Sequence, residues 1–133
     1  MKISRVEPII LRSGPVDTAR PDGTQDAFLV RLHTDEGLVG IGEADTSPYV
    51  ACTITDMPAS HAVARGLAEL IVGEDPLQIR RLWDAMFAGT YHYGRDGAAL
   101  HAMSASTWPS GTWRAKRLAA RFATSSGACE PIT

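Results

Sequence analysis

A short alternating segment that turns back on itself after a glycine constrains the fold most strongly. Phe28, Val30 and Leu32 alternate with residues 29, 31 and 33, which is the two-residue period of a half-buried strand. Asp35-Glu36-Gly37 follows as a turn, and an apolar alternation resumes at residues 39 and 41. The segment therefore predicts an antiparallel β-hairpin.

Two glycines interrupt the second strand of this hairpin. Gly40 and Gly42 weaken a strand, and glycine at such positions usually indicates that another backbone or a ligand approaches closely. Glu43 follows them and resembles a general base or metal ligand, but one carboxylate is weak evidence for either.

The remaining segments predict an α+β domain. Residues 3–12 form a β-branched run in which Pro8 indicates an edge position or a bulge, and residues 13–25 and 46–56 are irregular. Helices are predicted over residues 58–72, from Asp75-Pro76 through an apolar stripe ending at Phe87, and from Ala98 onward. The order predicts a three-stranded antiparallel meander followed by a helical bundle.

Composition and cysteine usage favour a folded, soluble, cytoplasmic chain. Its 133 residues suit one domain, and hydrophobic residues make up 44% and charged residues 21%. No apolar run is long enough to span a bilayer, and the start of the chain lacks a secretory core. Cys52 and Cys129 lack the spacing of a zinc site or a disulfide framework, so we expect free thiols.

Charge is distributed unevenly between the body of the chain and residues 106–133. Glu130 is the one acidic residue of that last segment, which also holds the basic residues Arg114, Lys116, Arg117 and Arg121. The rest of the chain is acidic, which is the wrong sign for nucleic-acid binding. We expect neither a nucleic-acid nor a membrane partner, although a basic nucleic-acid or membrane-surface helix is an alternative for the last segment.

Several stretches over residues 1–105 together resemble the amino-terminal capping domain of the mandelate racemase and muconate-lactonizing family of the enolase superfamily. No single stretch is specific, but the ordered set is. The stretches are Met1-Lys2-Ile3, residues 29–37 with residues 40–44, Gly73-Glu74-Asp75-Pro76, and Ala102-Met103-Ser104-Ala105.

The resemblance implies a function that the cap performs together with a second domain. In this family the cap packs over a (β/α)₈ barrel, which supplies the Mg²⁺-binding carboxylates and the Lys or His bases that remove a proton next to a carboxylate. The intact enzyme would be a racemase, cycloisomerase or dehydratase acting on a small carboxylate or sugar acid. Barrel elements are absent after residue 105, so we expect this chain to hold no catalytic or metal-binding residue and to be inactive alone.

A hypothesis of a different class is a non-catalytic binding or oligomerisation module. The apolar surface that should meet the barrel would be exposed, and a homo-oligomer could form through it.

The resemblance also implies that two loops of the cap, residues 14–25 and 46–56, close over the barrel and help to choose the substrate. Arg20 and Tyr49 are the candidate substrate-binding residues, because a guanidinium grips carboxylates or hydroxyls and a tyrosine offers an apolar face with a hydroxyl. A solvated arginine and a packed loop tyrosine are the alternatives. The resemblance also implies that Glu43 belongs to the framework of the cap, so we expect it to make a structural hydrogen bond. His92, between Tyr91 and Tyr93, lacks catalytic partner residues and indicates a structural role.

Residues 106–133 are interpreted as an out-of-frame tail that is poorly ordered. The resemblance stops at Ala105, after which the chain reads Ser106-Thr107-Trp108-Pro109. If one nucleotide was lost at this junction, each codon of the original reading frame combines the last base of one present codon with the first two bases of the next. The Trp108 codon ends in G and the Pro109 codon begins with CC, so the original frame encodes alanine there. Suitable codons then permit IDLALWDVAGKAARRPVRDLLGGVRADH, which resembles the family's passage into the barrel.

Overall fold

The fold is described from a computed structural model that covers residues 1–20 and 25–125, without the side chains of residues 112 and 114–125. Its elements are β1 Ile3–Arg12, β2 Asp26–Thr34, β3 Val39–Ala44, α1 Pro48–Asp56, α2 Leu67–Ile71, α3 Ile79–Gly89 and α4 Ala98–Ser125. The predicted α+β class and the order of strands before helices are confirmed.

The three strands form one antiparallel sheet in the order β1-β2-β3. Phe28, Val30 and Leu32 of the central strand are fully buried, as their alternation predicts. Pro8 lies on the edge strand β1, where a missing N–H is tolerated, and a register shift lies between Ile3 and Arg5. The predicted hairpin turn is present, and Gly37 adopts a positive φ of 78° there.

The helices cover one face of the sheet and enclose the core. Large side chains from every layer are fully buried in it, among them Leu67 and Ile71 of α2, Leu82 and Met86 of α3, and Met103 of α4. Trp83 and Phe87 pack against the same core, so the predicted apolar stripe of α3 is structural.

Helix α4 lies directly on β3, and this explains Gly40 and Gly42. A Cβ at Gly42 would collide with the carbonyl oxygen of Ala105, and a Cβ at Gly40 would lie 2.7 Å from both Pro109 and Trp113. The close approach predicted at these glycines is thus confirmed, and it is made by a helix of the same domain.

The prediction that residues 46–56 are irregular is wrong, because Pro48–Asp56 form α1. The β-branched residues of this segment have low helix propensity, but Pro48 suits a first helical position. Ala51, Ile54 and Thr55 are buried on one side of the helix. Burial against the sheet therefore outweighs local propensity here.

The predicted helix over residues 58–72 is also largely wrong, since only Leu67–Ile71 are helical within it. Gly66 is the physical reason: its α-carbon lies so close to the carbonyl of Met57 that a Cβ would collide with it. The intervening chain turns back on itself, and the Ser60 N–H donates to the Ala64 carbonyl over 2.9 Å.

The helix predicted from Asp75-Pro76 begins later, at Ile79. The Asp75 carboxylate instead accepts a hydrogen bond from the Leu77 N–H over 3.0 Å and stabilises the turn before α3. Helix α4 begins at Ala98 as predicted and continues across Ala105 to Ser125.

Three expectations concern parts of the chain that the structure covers incompletely. Cys52 is a free thiol in the described part of the chain, and Cys129 lies outside it. The tail expected to be poorly ordered comprises residues 106–133: residues 106–125 lie in α4, and residues 126–133 lie outside the described part of the chain, so the expectation about order stays a prediction. Within residues 1–20 and 25–125, no helix is both long and apolar enough to cross a membrane.

Candidate functional site

A shallow pocket lies where the loop after β1 rejoins the sheet. Its volume is about 270 Å³, and it is lined by the end of β1 and the start of β2: Leu11, Arg12, Ser13, Gln25, Asp26 and Ala27. Its lining combines apolar side chains with polar groups that are bonded to one another or to the loop.

Hydrogen bonds across the base of the loop hold this pocket in shape. The Ser13 N–H donates to the Gln25 carbonyl over 3.1 Å, and the Asp17 N–H donates to the Gln25 side-chain oxygen over 2.7 Å. The Gln25 amide in turn donates to the Asp17 carbonyl over 3.1 Å. The loop is therefore anchored where it leaves the sheet.

Arg12 joins the pocket to α1. Its guanidinium pairs with the Asp26 carboxylate at 3.3 Å and lies 5.3 Å from the centroid of the Tyr49 ring. Tyr49 is in the first turn of α1 and is 58% exposed, so its ring lies against Arg12 at the surface and does not enter the core. A cation–π contact of this kind orders an exposed ring.

The structure treats the two predicted substrate-binding residues differently. Tyr49 belongs to a helix and contacts Arg12, which ends the strand before the other predicted loop. Arg20 lies in the exposed part of the loop, where its backbone N–H donates to the Asp17 carbonyl over 3.2 Å. No observation assigns either residue to a ligand, so both stay predictions.

Sequence reasoning missed Arg12. The residue ends a strand, and nothing in its neighbours along the chain indicates a role. Its contact with Tyr49 joins segments far apart in sequence, and only the pairing of β1 with β2 places Arg12 opposite Asp26.

A second polar cluster lies on the face of the sheet away from the helices. The Glu7 carboxylate is 2.7 Å from Arg5, 3.4 Å from Arg31 and 3.0 Å from His33. The hydrogen bond from His33 and then that from Arg5 lower the pKa of Glu7 below its ordinary value. The charged groups of this cluster are paired with one another, so we interpret it as a cross-strand ion-pair network.

His92 and Glu43, which the sequence singled out, belong to neither of these two groups of residues. The ring of His92 meets that of His61 edge to face, with centroids 5.0 Å apart. The backbone N–H of His92 donates to the Val63 carbonyl over 3.0 Å, in keeping with a structural role. Glu43 is exposed, and its expected hydrogen bond is not among those of the described residues.

A magnesium ion does not fit the described part of the chain. Mg²⁺ requires convergent oxygen ligands, and no group of three or more His, Cys, Asp or Glu side chains within residues 1–20 and 25–125 could hold a metal. The thiol of Cys52 is no better placed for chemistry, because partial burial raises its pKa and so disfavours the reactive thiolate.

Comparison with known proteins gives a consistent result. The sequence profile described as "Mandelate racemase / muconate lactonizing enzyme, N-terminal domain" matches residues 1–109. The chain is 31% identical over 78 residues to the L-rhamnonate dehydratase of Saccharopolyspora erythraea, which is 59% of this chain and 18% of that protein. It is 28% identical over 97 residues to the 3,6-anhydro-alpha-L-galactonate cycloisomerase of Streptomyces coelicolor, which is 68% of this chain and 26% of that protein.

Solved structures agree with this. A racemase from Streptomyces coelicolor A3(2) with bound magnesium superposes with a TM-score of 0.66 at 26% identity, over 87% of this chain and 32% of that one. The chain thus spans at most about a third of the proteins to which it is compared here.

Proposed function

The chain belongs to the mandelate racemase and muconate lactonizing enzyme family through its N-terminal domain, and from this we propose that residues 1–105 form the substrate-selecting cap of a magnesium-dependent enzyme of that family. The enzyme acts on a small carboxylate, and a sugar acid is the favoured class because both relatives described above are named for sugar-derived acids. Racemisation, cycloisomerisation and dehydration all begin with removal of a proton next to the carboxylate.

One observation carries this proposal: the contact between Arg12 and Tyr49 links the end of β1, where the first loop begins, to the helix α1, next to the pocket at the base of that loop. In a cap that closes over a barrel, these are the parts that select the substrate. Arg20 supplies a bidentate donor for a carboxylate or hydroxyls, and Tyr49 supplies an apolar wall with a hydroxyl.

The metal and the bases belong to the barrel and not to the described residues, which form no magnesium site. When bound, Mg²⁺ stabilises the negative charge that develops on the substrate carboxylate. The residues of this chain position the distal part of the substrate and exclude water. We propose that the chain by itself is inactive.

A chimera tests the cap role. Residues 1–105 would replace the corresponding cap of the L-rhamnonate dehydratase from Saccharopolyspora erythraea, and deuterium exchange next to the carboxylate would be measured over a panel of sugar acids. We expect the chimera to bind Mg²⁺, to exchange deuterium and to show an altered order of kcat/KM across the panel.

Substitutions in the chimera distinguish an effect on substrate selection from an effect on folding. Arg20→Ala and Tyr49→Ala should change that order at least tenfold for one acid, whereas Arg80→Ala, on the exposed side of α3, should leave it unchanged. A folded, active chimera that keeps the parent's preference, and in which these substitutions change nothing, would contradict the proposal. The chain alone, assayed with Mg²⁺ and L-rhamnonate, should exchange no deuterium.

A homo-oligomerisation module is a second candidate, favoured by the apolar side chains that β3 exposes. Leu38, Val39 and Ile41 are 44%, 49% and 54% exposed. Such a row on an edge strand is a site for self-association. Sedimentation velocity over a dilution series tests it: a defined dimer that Ile41→Lys converts to monomer supports the module, and a monomer at all concentrations excludes it.

A further inference from the structure

The face of α4 that packs on the sheet changes its chemistry after Ala105. Ala102, Met103 and Ala105 are apolar and fully buried. Beyond them the buried positions are 106, 109, 110 and 113, which is the spacing of one face of a helix. These positions hold Ser106, Pro109, Ser110 and Trp113. Two serines and a proline are unusual residue types for the buried face of a helix.

Three of these four residues are unfavourable on the buried face of a helix, whereas Trp113 packs into the core. Pro109 stands inside the helix and has no N–H to donate to the carbonyl of Ala105. The Ser110 hydroxyl is buried and finds no hydrogen-bond partner among the described residues. Ser106 is fully buried, and its hydroxyl donates back to the Ala102 carbonyl over 2.8 Å. The backbone geometry of a buried helix is thus combined with side chains that do not suit it.

We propose that this buried face of α4 was selected for an apolar segment encoded in the neighbouring reading frame, and that one nucleotide is missing immediately before the Ser106 codon. The position of the missing nucleotide follows from the resemblance that stops at Ala105, and burial together with the genetic code supports it. Neither test depends on the proposed substrate-selecting role.

The genetic code makes the proposal specific at the four buried positions. With the nucleotide restored, the codon at position 109 consists of the last base of the Trp108 codon and the first two bases of the Pro109 codon. It is therefore GCC and can only encode alanine. The restored codon at position 113 ends in TG, the first two bases of the Trp113 codon, so it can only encode leucine, methionine or valine. Both are apolar whatever codons the gene uses.

The serine positions depend on the serine codon. If Ser106 and Ser110 use codons that begin with TC, the restored residue is isoleucine, leucine, valine or phenylalanine, whichever base precedes. If they use codons that begin with AG, it is lysine, glutamine, glutamate or a stop. The burial of both positions therefore predicts TC codons.

Two less buried positions provide comparison. Position 107 is half-buried, and the restored codon ends in AC and gives only aspartate, asparagine, histidine or tyrosine, all of them polar. Position 108 is 70% exposed and apolar in either frame, so it does not distinguish the two readings.

The first test is the coding DNA of this chain. We expect a TC codon at both Ser106 and Ser110. An AG codon at either position would place a charged or amide side chain, or a stop, on the buried face and would overturn the proposal.

The second test is the stability of the full chain. Ser106→Ile, Pro109→Ala and Ser110→Leu together should raise the thermal midpoint by about 5 °C or more, because they remove an internal proline and a buried unpaired hydroxyl. Ser110→Lys, which the other serine codons would encode, should lower it. Thr107→Asp, at the half-buried position, is the matched control and should change the thermal midpoint by less than about 2 °C relative to the unsubstituted chain.

The stability test also has an outcome that overturns the proposal. If Ser110→Leu lowers the midpoint as much as Ser110→Lys does, the site is built for a serine. The neighbouring reading frame would then not account for the residue at position 110.

Discussion

The guanidinium of Arg12 lies 5.3 Å from the ring centroid of Tyr49 and thereby connects the last residue of β1 to the first turn of α1. Since both side chains are largely exposed, the contact contributes little to the core. Its effect is to hold the ring close to Arg12, which lines the pocket at the base of the loop. Any role of Tyr49 in choosing a substrate therefore depends on Arg12 as a positioning residue.

The Arg12 and Tyr49 side chains should be energetically coupled. A double-mutant cycle with Arg12→Ala and Tyr49→Ala, measured by urea unfolding, should give a coupling free energy of about 0.5–1 kcal/mol. The same cycle with Arg5→Ala in place of Arg12→Ala is the control, because Arg5 lies at the other end of β1, and it should give no coupling. Equal coupling in both cycles would show that the contact is not specific.

Substitution of Gly42 should disrupt the packing of α4 on β3. Gly42→Ala should lower the free energy of unfolding by about 3 kcal/mol or more, because the added Cβ collides with the backbone carbonyl of Ala105, which cannot rotate away. Gly111→Ala is the matched control. A Cβ there meets nothing within 4 Å, and alanine should raise stability by about 0.5–1 kcal/mol. Chemical denaturation of both variants checks this, and a neutral Gly42→Ala would be inconsistent with the close approach.

Glu7 should contribute to stability in a defined pH window. Its pKa is lowered in the folded chain, first by the hydrogen bond from His33 and then by that from Arg5. A carboxyl with a depressed folded pKa stabilises the fold above its unfolded pKa, which is about 4.3 for glutamate. That contribution is lost as the pH falls through the lowered folded value.

The matching experiment compares Glu7→Gln with the unsubstituted chain from pH 7 down to pH 3 by urea unfolding. Glu7→Gln should be less stable at pH 7, and the difference should shrink as the pH falls below about 4. Glu43→Gln, outside the cluster on β3, is the control. A difference that stays constant over the whole range would argue against the ion-pair network.

Tyr93 should donate a structural hydrogen bond across the helical layer. Its hydroxyl lies 2.6 Å from the Arg65 carbonyl, and partial burial raises the pKa of the phenol. Tyr93→Phe should cost about 1 kcal/mol and should remove the last-titrating fraction of the tyrosinate absorbance at high pH. Tyr91→Phe serves as the control, because its 55% exposed ring keeps its stacking on Arg95 without the hydroxyl. An unchanged high-pH titration in Tyr93→Phe would refute the assignment.

Local patterns along the chain determined the sheet and the order of its strands. The alternation through Phe28, Val30 and Leu32 and the turn at Gly37 are short-range signals, since strand periodicity and turn conformation act over a few residues. The resemblance that predicts the family depends on the same short stretches, and the match over residues 1–109 confirms it. The family, though not the substrate, could therefore be inferred from the sequence alone.

Contacts between distant segments decided the rest. Helix α1 forms against local propensity because Ala51 and Ile54 are buried, and Gly66 separates α2 from the segment before it because the chain folds back on Met57. Arg12 meets Tyr49, and Ser110 is buried on α4, only because β1, β3 and the helices pack in one particular way. Periodicity carries no information about such pairs, since their free energy arises from burial and contact that exist only once the chain is folded.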